Sequence, residues 1–447
     1  MIQKVVIIGN GIAGVTAARH IRKNSDDEIL IISAETEFFF SRTALMYVYM
    51  GHMRFEDIKP YEDWFWKKNR IDLMFDYVQS IDFEQKQLDL KKGQSVSYDK
   101  LILAVGSKPN KFGWPGQDLK GVQGLYTYQD LEEVEENSKN ARNAVIVGGG
   151  LIGVELAEMF ISRGIAVTFL VREGRFWGNV LPKEEGELIT RHIREHHVDL
   201  RLNTELDEII DDGNGQVKEI RTKDGEVIPC QIVGLTAGVS PNVEFLRGSN
   251  LKVDRGIVVN AYMETNMPDV YAIGDCAQFD NPVDGRRPVE QVWYTGRIMG
   301  ETVAQNIAGN RKAYEPGPWF NSAKFFDIEY QTYGWVFAQL QENETDFYWE
   351  HENGKIALHV VWDQTTKEFK GVNVFGIRLR HELFDNWLKN RASIEEVMAN
   401  LKTANFDPEF YTHYEEAILN QFNEKSGLNI SFKKRSWWRN LLTKQVG

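Results

Sequence analysis

The sequence predicts an α/β protein: two Rossmann-like domains with parallel sheets in three layers, then a smaller α+β domain. Three observations predict it. Residues 5–21 read VVIIGNGIAGVTAARHI, and residues 144–160 read AVIVGGGLIGVELAEMF. Each copy is a short apolar run, then Gly-x-Gly-x-x-Gly, then apolar residues at helical spacing, and a continuous apolar run suits a parallel strand covered on both faces. The copies lie about 140 residues apart, too far for a solenoid, so they read as two related domains. Finally, 447 residues, 42% of them hydrophobic, exceed one ordinary core.

The first apolar run, Val5–Ile8, leads into Gly9-Asn10-Gly11-Ile12-Ala13-Gly14. Gly9 permits the tight turn, and Gly11 lets the backbone approach a pyrophosphate. Gly14 lets helix and strand pack closely, while the helix N-terminus presents free N–H groups and a positive dipole end. A second strand, Ile29–Ile32, ends at Ser33-Ala34-Glu35. Glu35 lies about twenty residues past the loop, where a carboxylate can hold ribose hydroxyls. Residues 71–97 read as a short antiparallel meander, and Leu101–Val105 as a buried strand ended by Gly106. The loop 107–124 carries two prolines and four glycines and reads as an interdomain crossing.

The second copy, Gly148-Gly149-Gly150-Leu151-Ile152-Gly153, follows Val145–Val147. Two dinucleotide sites in one chain point to a flavoenzyme with a nicotinamide donor. Ala166–Val171 reads as a strand, 182–197 as a helix, and 215–235 as strands around Asp-Gly turns. The end of this domain's second strand separates NADH, which favours a carboxylate, from NADPH, which favours an arginine. The acidic position falls on Val171; Arg172 follows, with Glu173 beside it. Arg172 tips the choice towards NADPH, and Glu173 opposes it. Glu315-Pro316-Gly317-Pro318 opens a third region of mixed strand and helix.

Composition excludes other classes. A net charge of -13 argues against nucleic acid as a partner. No apolar run approaches the ~20 residues that span a bilayer, and the N-terminus reads as a strand rather than a signal peptide. The two cysteines, Cys230 and Cys276, exclude a disulfide framework and point to a reducing, cytoplasmic compartment. No metal, Fe–S or haem ligand set is legible. Residues 431–447, SFKKRSWWRNLLTKQVG, hold five basic and no acidic residues. Trp437, Trp438, Leu441 and Leu442 gather on one side at helical spacing, a pattern open to a solvated terminus, partner docking or peripheral membrane contact.

With these loops, three further motifs resemble the pyridine nucleotide-disulfide oxidoreductase superfamily. Leu101–Ser107, with Ala104 and Gly106, is similar to its middle Ala-Thr-Gly motif, Val105 standing for the threonine. Thr265–Asp275, ending in Gly274-Asp275, resembles its second FAD motif. Val289-Glu290-Gln291-Val292 resembles the start of the following helix, which faces the flavin. The resemblance implies FAD held by Gly9, Gly11, Ile12, Ala13, Gly14, Glu35, Arg42, Val78, Ala104, Gly106, Gly274, Asp275, Gln291 and Val292. It implies a nicotinamide nucleotide held by Gly148, Gly150, Leu151, Ile152, Gly153, Arg172, Glu173 and Gly238. The implied domains are 1–112 with 244–312 for FAD, 113–243 for NAD(P), and 313–447 at the C-terminal end.

No Cys-x4-Cys or Cys-x2-Cys pair exists, and the region after Glu35 carries no thiol, so cysteine-based reduction is not expected. The Phe40-Ser41-Arg42-x-x-Leu45 pattern instead resembles the ferredoxin/rubredoxin reductase and nitrite-reductase flavoprotein branch. In parts of that branch a lysine and a glutamate pair beside the flavin; here the positions hold Tyr47 and Glu155, which are the catalytic candidates. The resemblance implies hydride transfer from NAD(P)H to FAD and onward transfer to a small iron–sulfur carrier; in relatives the third domain often shapes a homodimer, and for this chain the oligomeric state stays open. The alternatives are an NAD(P)H oxidase or quinone reductase at a membrane surface, and a redox-switched binding module.

Overall fold

A computed structural model of the chain describes residues 2–283, 285–406 and 412–433. The chain divides into two compact units. One takes the sequence up to Gly174 and again from His197 to Pro316; the other takes Arg175–His196 and the sequence from Gly317 on.

The first unit contains two parallel five-stranded sheets of the same design. In one, Lys4–Ile8 lies centrally between Glu28–Ser33 and Lys100–Leu103, flanked by Ile71–Phe75 and Val270–Ala272. In the other, Asn143–Val147 lies between Ala166–Val171 and Ile232–Leu235, flanked by Asp199–Leu202 and Val122–Gln123. After its first residue each central strand is apolar because both faces are covered; Val5, Val6 and Ile7 are fully buried. Each is the point where strand order reverses, where open α/β sheets bind ligands beyond the carboxyl ends of their strands. The expected fold class is therefore what the structure contains.

Ile71–Phe75 departs from the expected meander. It pairs in parallel with Glu28–Ser33, and only Val78–Asp82, Gln87–Leu90 and Ser95–Ser97 form the antiparallel sheet. An edge strand alternates buried and exposed residues whichever way it pairs, so its pattern did not reveal its direction. The crossing 107–124 and its return are also less loose than expected. Ser107–Pro109 and Val239–Pro241 pair antiparallel, so both links between the two sheets run side by side.

The second unit is a five-stranded antiparallel sheet, ordered Phe320–Phe325, Ile328–Gly334, Phe369–Phe375, Ala357–Asp363, Glu344–Glu350. Helices His381–Lys389, Ile394–Ala399 and Glu415–Ser426 add Phe384, Val397 and Phe422 to its core. The helix Lys183–Glu195, which by sequence follows the second phosphate loop, belongs to this unit. Its Glu185 is fully buried, accepting from Asn373 Nδ2 at 2.8 Å and facing His359 Nδ1 at 2.8 Å. Phe432 packs against the same core, and the Lys433 N–H donates to Ala399 O. The remainder of the basic aromatic tail, 434–447, lies outside the described residues.

Candidate functional site: two dinucleotide loops

The two Gly-rich loops have the same construction. At Gly9 φ is +110°, and a Cβ would lie 2.1 Å from Ala104 O; at Gly148 φ is +118°, and a Cβ would lie 2.6 Å from Thr236 O. In both loops the first glycine meets the backbone just past the neighbouring parallel strand, so no side chain fits. The third glycine closes the turn: a Cβ on Gly14 would lie 2.1 Å from Gly9 O, and one on Gly153 2.7 Å from Gly148 O. The middle glycines differ. A Cβ on Gly11 or Gly150 meets nothing within 4 Å. Each caps a helix, Ile12–Asn24 or Leu151–Ser162, with no side-chain hydrogen bond at the cap. Space at the middle glycine beside uncapped N–H groups is what a pyrophosphate requires. The residues thus fit FAD and a nicotinamide dinucleotide.

Around the first loop the structure gathers distant segments. A Cβ on Gly274, at φ +72°, would lie 2.9 Å from the Ala13 Cβ. The helix Trp293–Ile307, capped by Val292, crosses Ile12–Asn24 closely at Gly300, where a Cβ would meet Ala13 O at 2.6 Å. Gln291 Nε2 donates to Ser107 Oγ at 2.7 Å, and Gly106 precedes that serine at φ +66°. Burial raises the Asp275 carboxyl above the usual range, against hydrogen bonds from Tyr126 and Ser107 and the charge of Arg42. Val78 is buried in the core at the start of its strand, leaving its backbone as what it can offer a ligand.

Glu35 and Arg42 are joined to each other by a two-pronged ion pair, Nη1–Oε1 at 2.8 Å and Nη2–Oε2 at 2.6 Å. Glu35 Oε1 also accepts from the Tyr128 N–H at 2.9 Å. These bonds leave about one of the carboxylate's four acceptor positions for a ribose hydroxyl. The Arg42 guanidinium lies 4.5 Å over the Tyr126 ring and donates to Tyr126 O. The Tyr126 hydroxyl accepts from the Ser107 N–H at 3.0 Å and donates to Asp275 Oδ2 at 3.2 Å. Tyr126 therefore links Arg42, Ser107 and Asp275, a role the sequence reading missed. The available signal was its neighbour Thr127, whose capping box with Asp130 fixes the start of Tyr128–Ser138.

Around the second loop, Asn110 N donates to Gly238 O at 3.0 Å, tying Gly238 to the paired crossings. At the end of Ala166–Val171, Arg172 Nε donates to Glu173 Oε1 at 2.8 Å. The Arg172 side chain is 70% exposed against 25% for Glu173.

Glu155 lies on the helix Leu151–Ser162, and burial pushes its carboxyl up to about 7, with the charge of Glu158 adding to the shift. Tyr47 does not bond to it: among the described residues no hydrogen bond joins the two, and the Tyr47 ring stacks on His52 at 6.2 Å. The helix Leu45–Tyr49 still lies against Leu151–Ser162, with Tyr49 edge-on to Phe160 and Arg163 3.5 Å over the Tyr49 ring. Both thiols are packed. Burial pushes Cys230 and Cys276 up to about 12, and Cys276 Sγ donates to backbone carbonyls of Leu103 and Ile273.

The chain is similar to several known proteins. The assimilatory nitrate reductase electron transfer subunit of Bacillus subtilis is 28% identical over 400 residues, covering 87% of this chain and 50% of that protein. The chain thus spans half the length of that relative. The 5,5'-dehydrodivanillate O-demethylase ferredoxin reductase subunit of a Sphingobium species is 31% identical over 337 residues, covering 74% of this chain and 82% of the relative. The structure of an NAD-dependent persulfide reductase from A. fulgidus superposes with a TM-score of 0.83 at 23% identity, covering 95% of this chain and 84% of that one. The family model for pyridine nucleotide-disulphide oxidoreductases matches residues 3–307, and the chain belongs to that family.

Proposed function

We propose that the chain takes hydride from NAD(P)H onto FAD and passes electrons to a separate iron–sulfur protein of the ferredoxin or rubredoxin type. The observation that carries this reading is the pair of matched loops, each with its middle glycine open, in one unit whose thiols are packed away. FAD, when bound, supplies a hydride acceptor whose electrons can leave singly, which suits a one-electron partner. The residues' own tasks are binding and placement. The uncapped N–H groups after Gly11 and Gly150 hold the two pyrophosphates, Asp275 and Gln291 hold the flavin side, and Glu155 holds a proton near neutral pH. The FAD-binding domain comprises 1–112 and 244–312, and the NAD(P)-binding domain 113–243 apart from Arg175–His196, which fold with the second unit. The ferredoxin reductase subunit at 31% identity supports the choice of acceptor.

Anaerobic stopped-flow reduction by NAD(P)H, followed by mixing with oxidised ferredoxin or rubredoxin, tests the reading. Reoxidation by one of these carriers is expected; oxygen as the sole acceptor used at a useful rate overturns it. Between the nucleotides we propose a preference for NADPH. Arg172 is the exposed member of its pair, and its two terminal nitrogens carry no hydrogen bond among the described residues. Arg172→Ala is expected to lower kcat/KM for NADPH about tenfold and leave NADH nearly unchanged. A large NADH preference in the unaltered chain rules this out.

A further inference from the structure

The second unit carries a cluster that the redox reading does not use. His192 and His196 lie one turn apart at the end of the helix Lys183–Glu195, and Asp327 follows the tight turn at Phe326. We propose that His192, His196 and Asp327 form a binding site for a divalent first-row transition ion, Zn2+ foremost.

One ligand atom from each of the three residues lies within 4.8 Å of the other two. Asp327 Oδ1 stands 2.6 Å from His192 Nε2 and 2.9 Å from His196 Nε2. His192 is 1% exposed, yet neither of its ring nitrogens makes a correctly directed hydrogen bond. Its Nε2 instead crowds the Asp327 carboxylate at 2.6 Å, and an ion bound between the two would satisfy both. The supporting groups are also those of a metal site. The Phe326 ring stacks on His196 at 4.2 Å and 6°, which fixes the imidazole plane. Glu195 Oε2 lies 3.5 Å from His192 Nδ1, where metal-bound imidazoles keep a carboxylate. Lys355 occupies Asp327 Oδ2 at 3.2 Å and leaves Oδ1 for the ion.

Two imidazoles and one carboxylate favour Zn2+ or its neighbours over Mg2+ and Ca2+. With bonds of about 2.0–2.2 Å, tetrahedral donors stand roughly 3.4 Å apart. Asp327 must therefore withdraw by somewhat less than an ångström, and its side chain, 56% exposed on a turn, has that freedom. Three protein ligands leave the fourth position to water.

The test is Zn2+ titration calorimetry, with metal analysis after dialysis, on the untagged FAD-loaded protein. One Zn2+ per chain with micromolar or tighter affinity is expected. His196→Gln and Asp327→Asn, both at partly exposed positions, should each weaken it about tenfold or more. Flavin content and the rate of flavin reduction by NAD(P)H should stay as in the unaltered chain, which separates loss of the site from loss of the fold. No bound Zn2+ in the unaltered chain, or wild-type affinity in either variant, overturns the proposal.

Discussion

Gly9 and Gly11 sit two residues apart and fail in different ways. A side chain at Gly9 meets a carbonyl at 2.1 Å in a backbone conformation that disfavours it, so Gly9→Ala should cost on the order of 3 kcal/mol of stability. A side chain at Gly11 meets only open space, so Gly11→Ala should leave the unfolding midpoint of the apoprotein near its original value while weakening FAD retention about tenfold or more. Thermal unfolding of the apo variants and flavin content after gel filtration separate the two. Gly148→Ala and Gly150→Ala should repeat the contrast for the nicotinamide nucleotide. Glu155 offers a different readout. Its carboxyl, pushed up to about 7, is protonated below neutrality and anionic above it. Flavin reduction should therefore show an inflection near pH 7 that disappears in Glu155→Gln; an unchanged profile removes Glu155 from the site. The glycines were legible in the sequence because backbone demands are local. The Glu35–Arg42 fork and the Tyr126 bridge were not: the fork depends on the path of the loop between its two residues, and Tyr126 meets Asp275 across 149 positions that no spacing rule reaches.

Elements show the same division. The two strand–loop–helix copies and their second strands could be read because apolar run, glycine spacing and helical periodicity agree. Ile71–Phe75 could not be placed, since pairing direction leaves no mark on an edge strand. Nor could the helix Lys183–Glu195 be assigned to its unit, since its buried face reads alike whichever sheet covers it. The segment from Gly106 to Tyr126 joins both kinds of information: a glycine-rich crossing in the sequence, and a tyrosine that ties it back to Asp275 in three dimensions. Tyr126→Phe removes the hydroxyl and leaves the ring under Arg42. It should cost about 1 kcal/mol and lower FAD retention several-fold, measured by dialysis against flavin-free buffer. Retention equal to the unaltered chain denies Tyr126 any part in holding the crossing.

For the molecule as a whole, the buried charges of the second unit set a pH dependence. His359 faces Asp346 at 2.7 Å and Glu185 at 2.8 Å. Against the opposing effect of burial, these two carboxylates push it up to about 9. Burial also raises Glu185, against its bonds to His359 and Asn373. Both groups then hold protons more tightly in the folded chain than in the unfolded one. The stability His359 contributes is fully present below the ordinary histidine pKa of about 6.5 and is lost as pH rises through about 9, while the Glu185 contribution already begins to fall above the ordinary carboxyl range. Thermal unfolding followed from pH 6 to 10 should show this decline, and His359→Gln should flatten it. No helix among the described residues is long and apolar enough to cross a membrane.

The helix Lys183–Glu195 has a consequence for how such a chain can be cut. Its buried residues, Leu188, Ile189 and Ile193 with Glu185, belong to a body whose sheet begins more than a hundred residues later. A stop codon after Pro316 would not remove that body cleanly. It would strand one helix of it, apolar side bare and a carboxylate without its histidine. Nor could the body be lifted out by a single splice, because the chain visits it twice. Fusion, truncation or exchange between relatives therefore needs two junctions, near Gly174/Arg175 and His196/His197, besides the one at Pro316/Gly317.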